Sequence, residues 1–414
     1  MTDAPPPGLA AAFERLDGVA DAMLARTADW SRVNSGSLEP AGLGRMADLL
    51  ADAFAALPGP LERAPLAPSE RVRADGVVEP REHGPAIRVR VRPQAPVQVA
   101  LTGHYDTVFP AAHPFQTPER IDAHTMRGPG VADMKGGLVL MREALLAFET
   151  TPDAASVGYE ILLSPDEEIG SPASAPLLAE IGARAHVGMT YEPALPDGSL
   201  AGARKGSGNY SLVLTGKAAH VGRAFEDGRS AIVAAADTVM RLNDLNGQRE
   251  GVTVNIGAVD GGAPVNMVPA GAVVRFNVRA PDDASRRWIE GEVARVCGCL
   301  RDGVSVQLHG GVTRAPKPMT PAQQQLFAFV HRAGESVGLD LKWAPTGGVC
   351  EGNNLFAAGC PNVDTLGPRG GHLHSDREYA LTDSFPERAK LSLVMLHGFA
   401  TGAFDARALR GSGA

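Results

Sequence analysis

Apolar positions recur at helical spacing over residues 9–33 and again over 43–54, which predicts two amphipathic helices. Residues 58–68 are rich in proline and read as a connection. Two short runs follow, Ala86-Ile87-Arg88-Val89-Arg90-Val91 and Val97-Gln98-Val99-Ala100-Leu101, and both predict strands. Residues 136–148 then predict a helix, 159–163 a strand, 175–181 a helix and 186–191 a strand. Alternation at this spacing predicts an α/β sheet with helices on its faces. In such sheets ligands gather beyond the strand ends.

From about residue 205 the pattern changes. Residues 209–214, 251–258, 272–278 and 304–308 predict strands, and 230–245 and 283–300 predict helices. That order, β-α-β-β-α-β, is the split βαβ arrangement and could stand alone. Residues 205–312 are therefore expected to form an inserted domain. Residues 1–204 and 313–414 would then make one discontinuous domain, in which the helix–strand alternation resumes at Pro321. The length of 414 residues also favours two cores over one.

Composition narrows the partners. A net charge of -8 argues against a surface for nucleic acid or anionic membrane. No apolar run approaches the roughly 20 residues that span a bilayer. The opening Met1-Thr2-Asp3-Ala4-Pro5-Pro6-Pro7 has neither the basic nor the apolar region of a secretory signal, so a cytoplasmic location is expected. Cys297, Cys299, Cys350 and Cys360 form no C-x-x-C pair and read as reduced thiols.

The chemistry lies where predicted strands end. In His104-Tyr105-Asp106-Thr107-Val108, the histidine and Asp106 are two apart and share a face of an extended chain. Asp106 can hold one imidazole nitrogen while the other binds a metal. Asp133 is presented by a loop rich in glycine and proline, and a carboxylate there can bridge two cations. The alternative of a phosphate loop lacks its third glycine and its lysine. In Asp166-Glu167-Glu168-Ile169-Gly170, adjacent side chains diverge, so one acid can bind metal while the other faces substrate as a base. Glu192 ends another predicted strand, and His374 lies in Gly370-Gly371-His372-Leu373-His374. Together Asp133, Glu168 and Glu192 offset most of the charge of two divalent cations, with His104 and His374 neutral. Oxygen and imidazole donors without thiolate suit two Zn²⁺, with Co²⁺ or Mn²⁺ as alternatives. Glu167 would take a proton from water and deliver it to a leaving nitrogen.

These segments, with Gly130-Val131-Ala132-Asp133-Met134-Lys135-Gly136-Gly137, resemble the zinc-dependent peptidases and deacylases. That family includes aminoacylase, acetylornithine deacetylase, succinyl-diaminopimelate desuccinylase and glutamate carboxypeptidase, the last being nearest in type. The resemblance implies a catalytic domain with a mixed sheet flanked by helices, carrying a ferredoxin-like lid and dimerisation domain. It assigns His104, Asp133 and Glu192 to one zinc and Asp133, Glu168 and His374 to the other. It makes Asp106 the partner of His104 and Glu167 the base, and it implies a cis peptide between Asp133 and Met134.

By the same resemblance His220, in Gly216-Lys217-Ala218-Ala219-His220, holds a substrate carbonyl across a homodimer, and Asn266 and Arg279 grip the substrate. A departure is Gly347-Gly348-Val349-Cys350-Glu351-Gly352-Asn353-Asn354, where relatives often carry Gly-Thr-Asp-Ala; Glu351 stands for the aspartate. His372 competes with His374 as a ligand. The activity implied is cleavage of an amide bond in a small peptide or N-acyl amino acid with a free carboxylate. An N-acyl-amino-acid deacylase and a non-catalytic binding relative are the alternatives.

Overall fold

The computed structural model describes residues 6–299 and 303–410. Along the chain, β1 (Leu61–Ala64), β2 (Ala86–Val91), β3 (Val97–His104), β4 (Val157–Ser164) and β5 (Val187–Thr190) belong to a central sheet. A second sheet follows, made of β6 (Gly206–Thr215), β7 (Thr253–Gly261), β8 (Gly271–Ala280) and β9 (Ser305–Arg314). The short β10 (Asn362–Val363) then returns to the first sheet, whose order is β1-β2-β4-β3-β5-β10.

β3, β4, β5 and β10 run parallel, and β1 and β2 close one side antiparallel. Both faces of this sheet are covered. Val99, Leu101, Tyr159, Ile161 and Met189 pack against the helices Ala20–Ser31, Lys135–Phe148 and Ser384–Thr401. Ala100 and Leu162 on the opposite face meet Leu178, Ile181 and Leu355. Covering both faces is why β3 and β4 are buried almost throughout instead of on alternate residues.

The second sheet is antiparallel, in the order β7-β8-β6-β9. Tyr210, Leu212, Leu214, Val274 and Phe276 form its core with Ala231, Ala235, Ile289 and Val293 of the helices Ala231–Asn243 and Asp283–Gly298. Leu300, where the second of these helices was expected to end, lies outside the described residues.

Two local expectations are corrected. The helix expected over residues 9–33 is two helices, Ala10–Gly18 and Ala20–Ser31. Val19 leaves helical geometry at φ -104°, ψ 8°, directly after a glycine, the residue that stabilises a helix interior least among non-prolines. The proline-rich connection contains β1, which pairs Leu61 with Val89 and Ala64 with Ala86. Pro60 and Pro65 flank it, and an edge strand of four residues tolerates that because proline lacks only a donor.

Candidate metal centre

Parallel pairing aligns the strand ends that carry the chemistry. His104 at the end of β3 lies opposite Ser164 of β4, and Thr102 lies opposite Thr190 of β5. The segments leaving these strands, 104–108, 166–170 and 191–192, therefore emerge side by side. β3 connects to β4 through the helix Lys135–Phe148 on one face, and β4 connects past β3 to β5 through the helix Ala175–Arg184 on the other, so the two connections leave in opposite directions and open a crevice at the carboxyl ends of β3 and β4.

Asp133 reaches this crevice from the loop before the helix Lys135–Phe148. Glu378 holds the loop by accepting hydrogen bonds from the backbone N–H groups of Gly130 (3.1 Å), Ala132 (3.0 Å) and Asp133 (3.0 Å). The buried Lys135 donates to the carbonyls of Trp30 and Val33 at 3.1 and 2.8 Å, tying the loop to the amino-terminal helices. Gly137 is required by close approach, since a Cβ there would lie 2.1 Å from the Tyr191 carbonyl oxygen. The Asp133–Met134 peptide is cis, as the resemblance implied.

The side chains converge. His104 Nε2 lies 3.0 Å from Asp133 Oδ1 and 3.8 Å from Glu192 Oε2. His374 Nε2 lies 3.4 Å from Asp133 Oδ2 and 3.1 Å from Glu168 Oε2. The two oxygens of Asp133 thus face different histidines. Ligand atoms of His104, Asp133 and Glu168 fall within 4.8 Å of one another, and those of His104, Glu167 and Glu192 do so as well. His374 has φ 60°, and this left-handed backbone turns its ring toward the carboxylates. His372 instead packs its ring near Tyr379, with centroids 5.8 Å apart.

Asp106 does more than meet His104, whose Nδ1 lies 3.3 Å from Asp106 Oδ1. It also accepts the backbone N–H groups of Glu167 and Glu168 at 3.1 Å each, and the Ser37 hydroxyl at 2.7 Å. One buried carboxylate therefore sets the histidine and both glutamates in register.

The donor set fits divalent metal. Four ligands about 2.05 Å from a zinc ion stand ~3.3 Å apart in a tetrahedron, close to the spacings seen here. Burial and the Asp133 carboxylate push the Glu168 carboxyl up, and burial pushes up that of Glu192, whose Oε1 is buried without a hydrogen-bond partner. Burial opposes ionisation of Asp133 too, but hydrogen bonds from His104 and His374 outweigh it and hold that carboxyl low. Nearby cations would remove the cost of ionising all three acids.

A cavity of about 460 Å³ opens beside these acids, and Arg204, Arg279 and Arg314 also line it. Arg314 Nη2 forms an ion pair with Glu167 Oε1 at 2.8 Å and donates to the Glu167 carbonyl at 3.0 Å and to Ser171 Oγ at 2.8 Å. Arg204 grips Asp364 through Nε (2.7 Å) and Nη2 (3.0 Å), and Lys317 meets the same carboxylate at 2.6 Å. Arg279 donates Nε to Asn277 Oδ1 at 2.9 Å and forms no ion pair among the described residues. Burial and the Arg314 charge both lower its pKa. Cys350 and Val349 line the same wall, so the departing loop does shape the cavity. Glu351 lies beneath it, fully buried against the Ser164 hydroxyl, and burial pushes its carboxyl up to about 8.

Two expected residues stay outside the cavity within one chain. His220 is exposed and caps a short helix, its Nδ1 accepting the Gly222 N–H at 3.1 Å. Asn266 is exposed beside it, its carbonyl accepting the Val221 N–H. Sequence reasoning missed Arg314, Glu378 and Arg204. Arg314 stands in no motif. Glu378, four residues after His374, and the basic pair Arg204-Lys205 before β6 were visible signals.

A profile of peptidase family M20/M25/M40 matches residues 100–397. Carboxypeptidase G2 of Pseudomonas sp. (strain RS-16) is 28% identical over 312 residues, which cover 73% of this chain and 74% of that one. Succinyl-diaminopimelate desuccinylase of Maricaulis maris is 32% identical over 189 residues, 41% of this chain and 47% of its own. The structure of a tripeptidase from Staphylococcus aureus superposes with a TM-score of 0.70 at 20% identity, covering 92% of this chain and 99% of that one.

Proposed function

Because the chain belongs to peptidase family M20/M25/M40, whose members are metal-dependent hydrolases of peptides or N-acyl amino acids, we propose that it is a dinuclear zinc hydrolase of the carboxypeptidase G2 type. It cleaves the amide bond of a small peptide or N-acyl amino acid that carries a free carboxylate. The observation that carries this reading is Asp133, with one oxygen toward His104 and the other toward His374. A carboxylate so placed could serve two cations at once.

His104, Asp133 and Glu192 would hold one zinc ion, and Asp133, Glu168 and His374 the other. When bound, such ions polarise a carbonyl and lower the pKa of water toward ~7. Glu167 accepts the proton of the attacking water and passes it to the leaving nitrogen. Arg314 fixes the Glu167 carboxylate by its 2.8 Å contact, and Asp106 fixes its backbone. Arg279 receives the substrate carboxylate, since it lines the cavity and no acid among the described residues is ion-paired to it.

Residues 205–312 act as an inserted lid on a catalytic unit formed by the remainder. Val221, Phe225, Val265 and Met267 are exposed around His220 and Asn266, an apolar surface that suits a homodimer. Through it His220 and Asn266 would serve the partner's cavity. Among the described residues no helix is long and apolar enough to cross a membrane, and all four cysteines are free, which suits a reducing cytoplasm.

Metal analysis of protein purified without chelator should return two zinc ions per chain. Fewer than one, with no gain in hydrolysis on adding Zn²⁺, would reject the catalytic reading. Product analysis over a panel of dipeptides and N-acyl amino acids separates the carboxypeptidase from the deacylase that the desuccinylase similarity favours.

A further inference from the structure

The chain enters the second sheet through Arg204 and Lys205, ahead of β6, and leaves it through Arg314 and Ala315, at the end of β9. These two crossings run side by side. Arg204 and Lys317 exchange backbone hydrogen bonds at 2.9 Å in each direction, and both side chains end on the buried Asp364. For a lid formed by residues 205–312, the hinge falls just beyond that pair, at Lys205 and Ala315.

Asn353 meets both crossings there. It is fully buried and does not line the catalytic cavity, unlike Gly348, Val349 and Cys350 of the same loop. Its Oδ1 accepts the Cys350 N–H at 3.2 Å, which turns Nδ2 the other way. Nδ2 donates to the Lys205 carbonyl at 3.0 Å and to the Ala315 carbonyl at 2.7 Å. An amide nitrogen carries two hydrogens, so this one side chain answers a carbonyl from each crossing. Asn354 adds a hydrogen bond from its Nδ2 to the Thr313 carbonyl at 3.3 Å. Glu351 anchors the start of their helix, Glu351–Ala357, on the Ser164 hydroxyl at the end of β4.

These contacts close a ring. Ser164 stands three residues before Glu167, and Ala315 directly follows Arg314. Arg314 Nη2 meets Glu167 Oε1 at 2.8 Å, which joins the two ends. We propose that Asn353 is a positioning residue: by tying the two crossings together it sets the angle at which the lid presents Arg314 to Glu167. Val349 and Cys350 line the cavity just ahead of Asn353, so a substrate pressing on that wall reaches the hinge through the same loop. The consequence for turnover rests on the proposed hydrolytic reading. The tie itself does not.

Two measurements test this. Spin labels are placed at Asp52→Cys, on the helix Pro40–Phe54, and at Arg287→Cys, on the helix Asp283–Gly298; both positions are exposed. Cys299→Ser removes the exposed native thiol, and dilution with unlabelled chain keeps the distance within one subunit. The distance distribution should shift or broaden in Asn353→Ala; an unchanged one would overturn the proposal. Kinetically, Asn353→Ala and Arg314→Gln should each lower kcat by about tenfold or more at unchanged metal content. The double variant should be no slower than Arg314→Gln, because both act through one contact. Losses that multiply would make Asn353 a structural residue alone and overturn its positioning role. Asn353→Ser retains one donor, should fall between wild type and Asn353→Ala, and keeps the test open if Asn353→Ala does not fold. If the labels respond while metal-loaded wild type hydrolyses no amide, the tie stands and the reaction assignment falls.

Discussion

Glu167 and Glu168 are neighbours with different surroundings. Glu168 Oε2 meets His374, whereas Glu167 is held by Arg314. Glu167→Gln should cut kcat by about 100-fold or more, because a proton acceptor is lost, while zinc content stays near two. Kinetics and metal analysis on the same preparation check this; joint loss of metal and activity would mean the two acids exchange roles. Arg279→Ala tests the substrate carboxylate. KM should rise about tenfold or more for carboxylate substrates, and little for the matching amides, since one charged contact is worth roughly 1.5–3 kcal/mol. An equal effect on both would place Arg279 outside recognition.

At the scale of elements, the helix Asp283–Gly298 is capped by Asp282, whose Oδ1 accepts the Ser285 N–H at 2.7 Å. Asp282→Ala should destabilise the fold by about 1 kcal/mol at neutral pH. The hydrogen bonds from Ser285 lower the Asp282 pKa from its ordinary 3.8. A depressed folded pKa gives stability that is present above the unfolded value and lost as pH falls through the folded one. Urea midpoints of wild type and variant should therefore converge as the pH drops below about 4. A gap that persists there would assign the loss to helix propensity alone. Elements also set the metal centre: β3, β4 and β5 deliver their ends together because they are parallel and in register.

For the whole molecule, the absence of His220 and Asn266 from the lining of their own cavity makes assembly the deciding question. If a partner supplies His220, inactive His220→Ala and Glu167→Ala chains should regain activity when mixed. Random exchange would restore one working site in half of the dimers, about a quarter of wild-type activity per chain. No recovery despite verified subunit exchange would place the whole reaction within one chain.

The sequence determined by itself which candidate residues stand at the strand ends and most of the architecture. His104, Asp133, Glu167, Glu168, Glu192 and His374 were legible because short-range pattern decides which residues end a strand or sit in a glycine loop. The alternation of predicted strands and helices likewise announced a sheet with helices on its faces. The tertiary structure alone decided the rest. Asp106 binding two distant backbone amides, Glu378 holding the Asp133 loop and Arg314 reaching Glu167 join residues 61, 245 and 147 positions apart. Arg388 donating to the Gly198 carbonyl joins segments 190 positions apart. Such contacts depend on directed hydrogen bonds between chain segments brought together by the core, and no local periodicity encodes them.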